Sequence, residues 1–175
     1  MNIVLIGYRG SGKTTIGKII AQKMGISLIG TDALLEKEIG TTINQFVKLN
    51  GWKAFRDAEQ RIIESLAETD NAVIDTGGGV ILRKENMNLL KKNGVVVFLN
   101  ADAKILANRI HYGNTRPPLK EGKESWEEVE DVLKERLPLY RNWADSIVNT
   151  ALLSPAEIAD NIIKYFKKSS AQQRK

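Results

Sequence analysis

The sequence contains no cysteine, a single histidine and no long apolar run. Without cysteine, a disulfide framework and thiolate metal sites are excluded, and a reducing cytoplasm is the expected compartment. A membrane-spanning helix needs about 20 consecutive apolar residues, and no segment approaches that length. The first apolar run ends at Gly7 and Arg9 follows, so we expect no signal peptide and no membrane association.

An excess of charge is also absent from most of the chain. The net charge is +5, but residues 160–175 hold five basic side chains against Asp160 and so account for +4 of it. The rest is nearly balanced. We therefore interpret the basic excess as a solvated C-terminal segment and expect no nucleic-acid partner.

Five short apolar segments alternate with helical patterns along the 175 residues. This alternation predicts a single α/β domain with a five-stranded parallel sheet and helices on both faces. The predicted strands are Ile3–Ile6, Ile26–Ile29, Ala72–Asp75, Val95–Leu99 and Ser146–Val148.

Several local signals divide the predicted domain, which spans residues 1–168. Capping-box patterns begin helices at Ser125 and at Ser154, where Pro155 takes the first helical position. Pro138 is expected to kink or end the first of these helices. Residues 112–124 lack apolar periodicity and are predicted to form a mobile lid, and residues 169–175 are predicted to be a disordered basic tail.

Residues 7–14 read GYRGSGKT and match the phosphate-binding pattern G-x-x-x-x-G-K-[ST]. The motif follows a predicted buried strand and opens a predicted helix, Lys13–Met24. Backbone N–H groups, the helix dipole and the Lys13 ammonium then face one anion, and the Thr14 hydroxyl can reach Mg²⁺. The sequence therefore predicts binding of a nucleoside triphosphate.

Five further elements occur in an order and spacing that resemble the shikimate kinase family. They are Asp32 after the second strand, Phe55-Arg56-Asp57-Ala58-Glu59, Gly77-Gly78-Gly79, Gly113-Asn114-Thr115-Arg116-Pro117 and Arg136-Leu137-Pro138-Leu139-Tyr140. The resemblance implies a P-loop kinase fold and ATP-dependent phosphorylation of the 3-hydroxyl of shikimate, a step toward aromatic amino acids. It also implies ATP and Mg²⁺ as cofactors, and we expect a cytoplasmic monomer.

The resemblance assigns roles at the nucleotide. Lys13 would bridge the β- and γ-phosphates, and Arg116 would reach the transferring phosphate from the lid. Arg109 would stack on adenine opposite the Thr150–Pro155 loop, although an exposed helical arginine is an equal alternative. The expected nucleotide-binding residues are Gly10, Ser11, Gly12, Lys13, Thr14, Thr15, Arg109 and Arg116.

At the acceptor, the resemblance places Arg56 and Arg136 around the shikimate carboxylate, which guanidinium groups bind through paired hydrogen bonds. Glu59 could orient Arg56, the alternative being an exposed ion pair of little energetic value. The backbone N–H groups of Gly77, Gly78 and Gly79 are expected to face substrate oxygens. Asp32 is the expected catalytic acceptor of the hydroxyl proton, with a helix N-cap before Leu34–Ile39 as the alternative.

Two positions depart from the family pattern. The family usually has D-x-D after the second strand, whereas this chain has Gly30-Thr31-Asp32, so the first, metal-holding carboxylate is missing. Asp75 ends the third strand and is predicted to replace it as a metal ligand together with Thr14, or else to order the glycine turn. Pro118 gives R-P-P-L where R-P-L-L is usual and is expected to stiffen the lid.

Three other functions fit part of the pattern. A gluconate kinase-like enzyme would also need a pair of arginines for a carboxylate, and a non-catalytic nucleotide-binding regulatory module would explain the missing carboxylate. A nucleic-acid-binding NTPase rests on the basic tail alone.

Overall fold

The computed structural model of the chain describes residues 1–111, 118–119 and 127–173. The predicted lid, including Arg116, therefore lies outside the described residues except at Pro118 and Leu119. In order, the elements are β1 (Asn2–Ile6), α1 (Lys13–Met24), β2 (Ser27–Gly30), α2 (Thr31–Ile39), α3 (Ile43–Ser65), β3 (Ala72–Asp75), a short 3₁₀ turn (Val80–Leu82), α4 (Lys84–Lys92), β4 (Gly94–Asn100), α5 (Ala103–His111), α6 (Val129–Trp143), β5 (Ser146–Asn149) and α7 (Pro155–Gln173).

All five strands form one parallel sheet in the order β2-β3-β1-β4-β5, which confirms the predicted α/β architecture. The central strand, β1, is buried along its whole length, and Leu5 is paired with Asp75 on one side and with Val97 on the other. A central parallel strand is covered by helices on both faces, which explains why it is a continuous apolar run rather than an alternating one.

Each face of the sheet carries its own apolar core. On one face, Ile16 and Ile20 of α1 pack with Ile158 and Ile162 of α7 against the sheet. On the other face, residues of α4, α5 and α6 cover the strands, and Tyr140 stacks on Phe98 with ring centroids 4.9 Å apart. A smaller cluster joins α2 to α3. In the described residues, no helix is both long and apolar enough to cross a membrane.

The predictions for the two ends of α7 have different outcomes. Its N-terminal capping box is confirmed: the Ser154 backbone N–H donates to the Glu157 carboxylate at 2.9 Å, and the Glu157 N–H donates to the Ser154 hydroxyl at 3.3 Å. At the other end, residues 169–173 are helical, so the prediction that they are disordered is wrong. The preceding turns of α7 pack against the core through Phe166 and nucleate the helix. Extending an existing helix by a few exposed residues costs little free energy.

Of the kink or the helix end expected at Pro138, the helix end is wrong, because Pro138 lies inside α6, which continues to Trp143. Proline removes one backbone hydrogen bond, but buried Leu133 and Tyr140 fix the helix on either side of it. The helix begins at Val129 after Glu128, and the predicted cap at Ser125 lies outside the described residues.

A buried ion pair ties the loop after β1 to the start of α6. The Arg9 guanidinium donates to one oxygen of Glu128, whose side chain is fully buried. The other Glu128 oxygen accepts the backbone N–H of Leu119 at 2.6 Å. Because both carboxylate oxygens are engaged, Glu128 fixes three separate segments of the chain relative to one another.

We predict that Glu128→Ala lowers the free energy of unfolding by about 3–5 kcal/mol, because it leaves the Arg9 charge buried without its counter-ion. Urea denaturation followed by circular dichroism measures this loss. The matched control is Asp160→Ala, which removes the exposed Lys23–Asp160 pair and is expected to cost less than about 1 kcal/mol. Equal losses of unfolding free energy in the two variants would show that the buried pair stabilises the fold no more than an exposed pair does.

Candidate active site

The phosphate loop occupies the predicted position between the end of β1 and the start of α1. Gly12 precedes the helix in the left-handed region, with φ 95°, which glycine adopts without steric cost. At Gly7, a Cβ atom would lie 2.6 Å from the carbonyl oxygen of Leu99 on β4. The strand–loop–helix context expected for the motif is therefore present, and glycine is needed at both ends of its loop.

Lys13 is already folded back over this loop. Its side chain is buried, and Nζ donates to the carbonyl oxygens of Gly7 at 2.9 Å and Tyr8 at 3.2 Å. These contacts hold the ammonium group at the mouth of the anion site instead of in solvent. A positive charge fixed beside a helix N-terminus is suited to a polyphosphate.

Thr14, in the first turn of α1, contacts the end of β3. Its hydroxyl donates to Asp75 Oδ2 at 2.6 Å. Asp75 is the last residue of β3 and is paired with Leu5 on β1, directly before the phosphate loop. The structure thus brings together the two residues that the sequence predicts as metal ligands.

A cleft of about 550 Å³ runs along the phosphate loop. The Arg109 guanidinium spans its wall, donating to the Gly10 carbonyl at 3.1 Å and to the hydroxyl and carbonyl oxygens of Thr150, each at 3.3 Å. Arg109 is exposed, as the alternative expected, and it also bridges the phosphate loop and the segment after β5. The lining residues include Gly10, Ser11, Gly12, Lys13, Thr14, Thr15, Asp32, Asp75, Arg109, Thr150, Leu153 and Pro155.

A second pocket lies beside the cleft and is lined by both predicted carboxylate-binding arginines, Arg56 and Arg136. The Arg56 guanidinium donates to Glu59 Oε2 at 2.7 Å, and Glu59 is only 2% exposed. The pair is thus partly desolvated, unlike the exposed i,i+3 pair considered as the alternative. Arg56 also lies over the ring of Phe55, 4.9 Å from its centroid, so it is held from two sides.

At the glycine turn, the Gly77 N–H donates to the Thr31 hydroxyl at 3.0 Å, and Gly77, Gly78 and Gly79 all line the arginine pocket. The Gly78 carbonyl accepts hydrogen bonds from Tyr140 and, at 3.4 Å, from Arg136. A Cβ on Gly79 would clash with the Arg56 guanidinium. The turn therefore gives Arg56 room and anchors Arg136.

Asp32 lies in the first turn of α2 and does not cap it, because the helix starts one residue earlier, with Gly30 as N-cap. The Thr31 side chain is directed to Gly77. A Cβ on Gly77 would lie 2.9 Å from Asp32 Oδ1 and 2.8 Å from Glu59 Oε1. Asp32 therefore lines the nucleotide cleft at its border with the arginine pocket.

Tyr8, Arg9 and Tyr140 also line or support the site, although the sequence analysis assigns them no individual role. Burial raises the pKa of both phenols, so each stays protonated at neutral pH. Tyr140 donates to the Gly78 carbonyl. Arg9 lines both the cleft and the arginine pocket. The available signals were the positions of Tyr8 and Arg9 inside the phosphate-loop motif and of Tyr140 at the end of the element that begins at Arg136.

Known proteins resemble the chain over nearly its full length. A family model described as shikimate kinase matches residues 9–167. A shikimate kinase of Caldicellulosiruptor saccharolyticus is 46% identical over 93% of this chain and 93% of its own length. One of Thermodesulfovibrio yellowstonii is 40% identical over 97% and 96% of the two chains.

Solved structures give the same result. Shikimate kinase from Acinetobacter baumannii in complex with shikimate superimposes with a TM-score of 0.89 at 30% identity, covering 96% of this chain and 93% of that one. A gluconokinase from Sinorhizobium meliloti reaches a TM-score of 0.61 at 18% identity and shares the fold alone. Sequence, motifs and structure agree, and the chain belongs to the shikimate kinase family.

Proposed function

We propose that this protein transfers the γ-phosphoryl group of ATP to the 3-hydroxyl of shikimate, giving shikimate 3-phosphate and ADP. The observation that carries the proposal is that the phosphate-loop cleft and the arginine pocket share two lining residues, Arg9 and Gly78. A donor in the cleft and an acid in the pocket would therefore meet at the border between the two. Positioning two reactants in this way supplies much of the rate enhancement in phosphoryl transfer.

Arg56 and Arg136 would bind the acceptor through its carboxylate. Arg56 and Arg136 line the same pocket from α3 and α6, and two guanidinium groups can each offer paired donors to a planar carboxylate. Because Glu59 and the Gly78 carbonyl already orient these arginines, little side-chain freedom would be lost on binding.

Asp32 would orient the acceptor hydroxyl and take its proton. As the new bond forms between the hydroxyl oxygen and the γ-phosphorus, the bond to the β-phosphate oxygen breaks and ADP leaves. Lys13 would neutralise charge on the β- and γ-phosphates. Arg116, which lies outside the described residues, would supply a second positive charge from the lid.

The residues at Thr14 suit Mg²⁺. A hydroxyl and a carboxylate oxygen are the hard donors that this ion prefers, and Thr14 and Asp75 place them together. Among the described residues there is no group of three or more His, Cys, Asp or Glu side chains that could form a closed protein cage. Phosphate and water oxygens would complete the shell, and the bound ion would neutralise phosphate charge.

One prediction of the proposed function concerns the acceptor. Purified protein with ATP and Mg²⁺ should release ADP much faster with shikimate than without it, because the arginine pocket holds the acid against the donor. A coupled assay of ADP release compares shikimate, quinate and gluconate. Stimulation by gluconate with none by shikimate would assign the protein to the gluconate kinase-like alternative, and stimulation by no acid would favour a regulatory module.

Another prediction separates the role of Arg136 from that of Arg116. Arg136→Ala should weaken shikimate binding by about 10- to 150-fold, corresponding to the roughly 1.5–3 kcal/mol of a charge-assisted contact, and leave ATP binding nearly intact. Arg116→Ala should instead lower kcat, with less effect on shikimate affinity. Calorimetry and steady-state kinetics measure these effects.

Arg141→Ala is the matched control, because Arg141 lies on the same helix as Arg136 but is exposed. It should leave both affinities unchanged. The division of roles is wrong if Arg136→Ala abolishes ATP binding or if Arg116→Ala leaves kcat as it was.

A further inference from the structure

Gly30 and Asp75 are the last residues of two neighbouring strands and are direct partners in the β2–β3 pairing. Adjacent strands lie about 4.8 Å apart, and in-register residues of a parallel pair project to the same face of the sheet. A side chain at either position therefore reaches the same edge of the phosphate-loop cleft. In this chain, only the β3 position carries one.

The carboxylate at that β3 position is already directed at the residue expected to bind the metal. Asp75 Oδ2 accepts the Thr14 hydroxyl at 2.6 Å, and both residues line the cleft. Asp32, the acidic side chain nearest to β2, lies beside Gly77 and close to Glu59, toward the arginine pocket. Both acids line the nucleotide cleft, but Asp75 is directed at Thr14 whereas Asp32 lies beside Gly77, at the border with the arginine pocket.

We propose that Asp75 holds Mg²⁺ at Thr14, directly or through a water molecule, and that this task can be moved to the neighbouring strand by placing an aspartate at Gly30. The proposal rests on the proposed function, because it concerns the metal of the same nucleotide. It assigns Asp32 to the acceptor and Asp75 to the metal, so that each carboxylate has one role.

The backbone at Gly30 accepts a side chain. Its φ of −94° and ψ of 115° are extended values that any residue adopts. A Cβ atom there would meet only the Cβ of Ala33, at an ordinary 3.8 Å. Glycine at this position is therefore not required by the fold, and an aspartate can be introduced without strain.

The experiment measures ADP binding by calorimetry with and without Mg²⁺, in the absence of shikimate. In Asp75→Asn, which keeps the size and hydrogen-bond acceptor of the side chain, we expect the tightening of ADP binding by Mg²⁺ to fall about 10-fold or more. Adding Gly30→Asp should restore most of it. The matched control, Gly30→Asn with Asp75→Asn, should restore none. Metal-free ADP affinity is measured in all four proteins, and the tightening by Mg²⁺ is taken as a ratio within each protein, because a change of charge beside the phosphate site alters metal-free affinity as well.

The two double variants share Asp75→Asn, so any structural loss from that change is common to both and cancels in their comparison. Equal Mg²⁺ dependence in these two variants, or unchanged Mg²⁺ dependence in Asp75→Asn, would overturn the proposal and leave Asp75 as a residue that orders the glycine turn. Because no acceptor is present, a failure to phosphorylate shikimate would not affect this result.

Discussion

Parallel pairing of β1 with β3 on one side and β4 on the other is the constraint on which the site depends. It brings the carboxyl ends of three strands to one edge, and the chain leaves β1 and β3 there through loops that contain glycine. The phosphate loop, Asp75 and the glycine turn all lie at this edge. The helices contribute the charged groups: Lys13 from α1, Arg56 from α3 and Arg136 from α6.

Space at the edge of the sheet is as important as charge. The arginine pocket exists because the glycine turn leaves room for Arg56 and Glu59, while the Gly78 carbonyl receives Tyr140 and Arg136. The buried Arg9–Glu128 pair then fixes the phosphate loop relative to the start of the helix that carries Arg136. The phosphate-loop cleft and the arginine pocket are thereby linked through a shared, partly desolvated border, an arrangement suited to phosphoryl transfer.

Much of this could be predicted because the signals are local or carried by motifs. The bounds of α1, the five strands and the Ser154 cap follow from periodicity and capping chemistry, and the contact between Thr14 and Asp75 follows from strand order. The features that were not predicted have tertiary causes. The Thr31 hydroxyl accepts the Gly77 N–H, packing carries α6 through Pro138, and Arg9 finds its partner 119 residues away. No local pattern in the sequence specifies such long-range contacts.

The most direct test of the account is a crystal structure with Mg²⁺, ADP and shikimate bound together. We predict the shikimate carboxylate within hydrogen-bond distance of Arg56 and Arg136, a hydroxyl beside Asp32, and the β-phosphate of ADP on Lys13. A shikimate carboxylate bound away from these two arginines, or an acceptor hydroxyl directed away from the phosphate loop, would contradict the claim that the two pockets form one phosphoryl-transfer site.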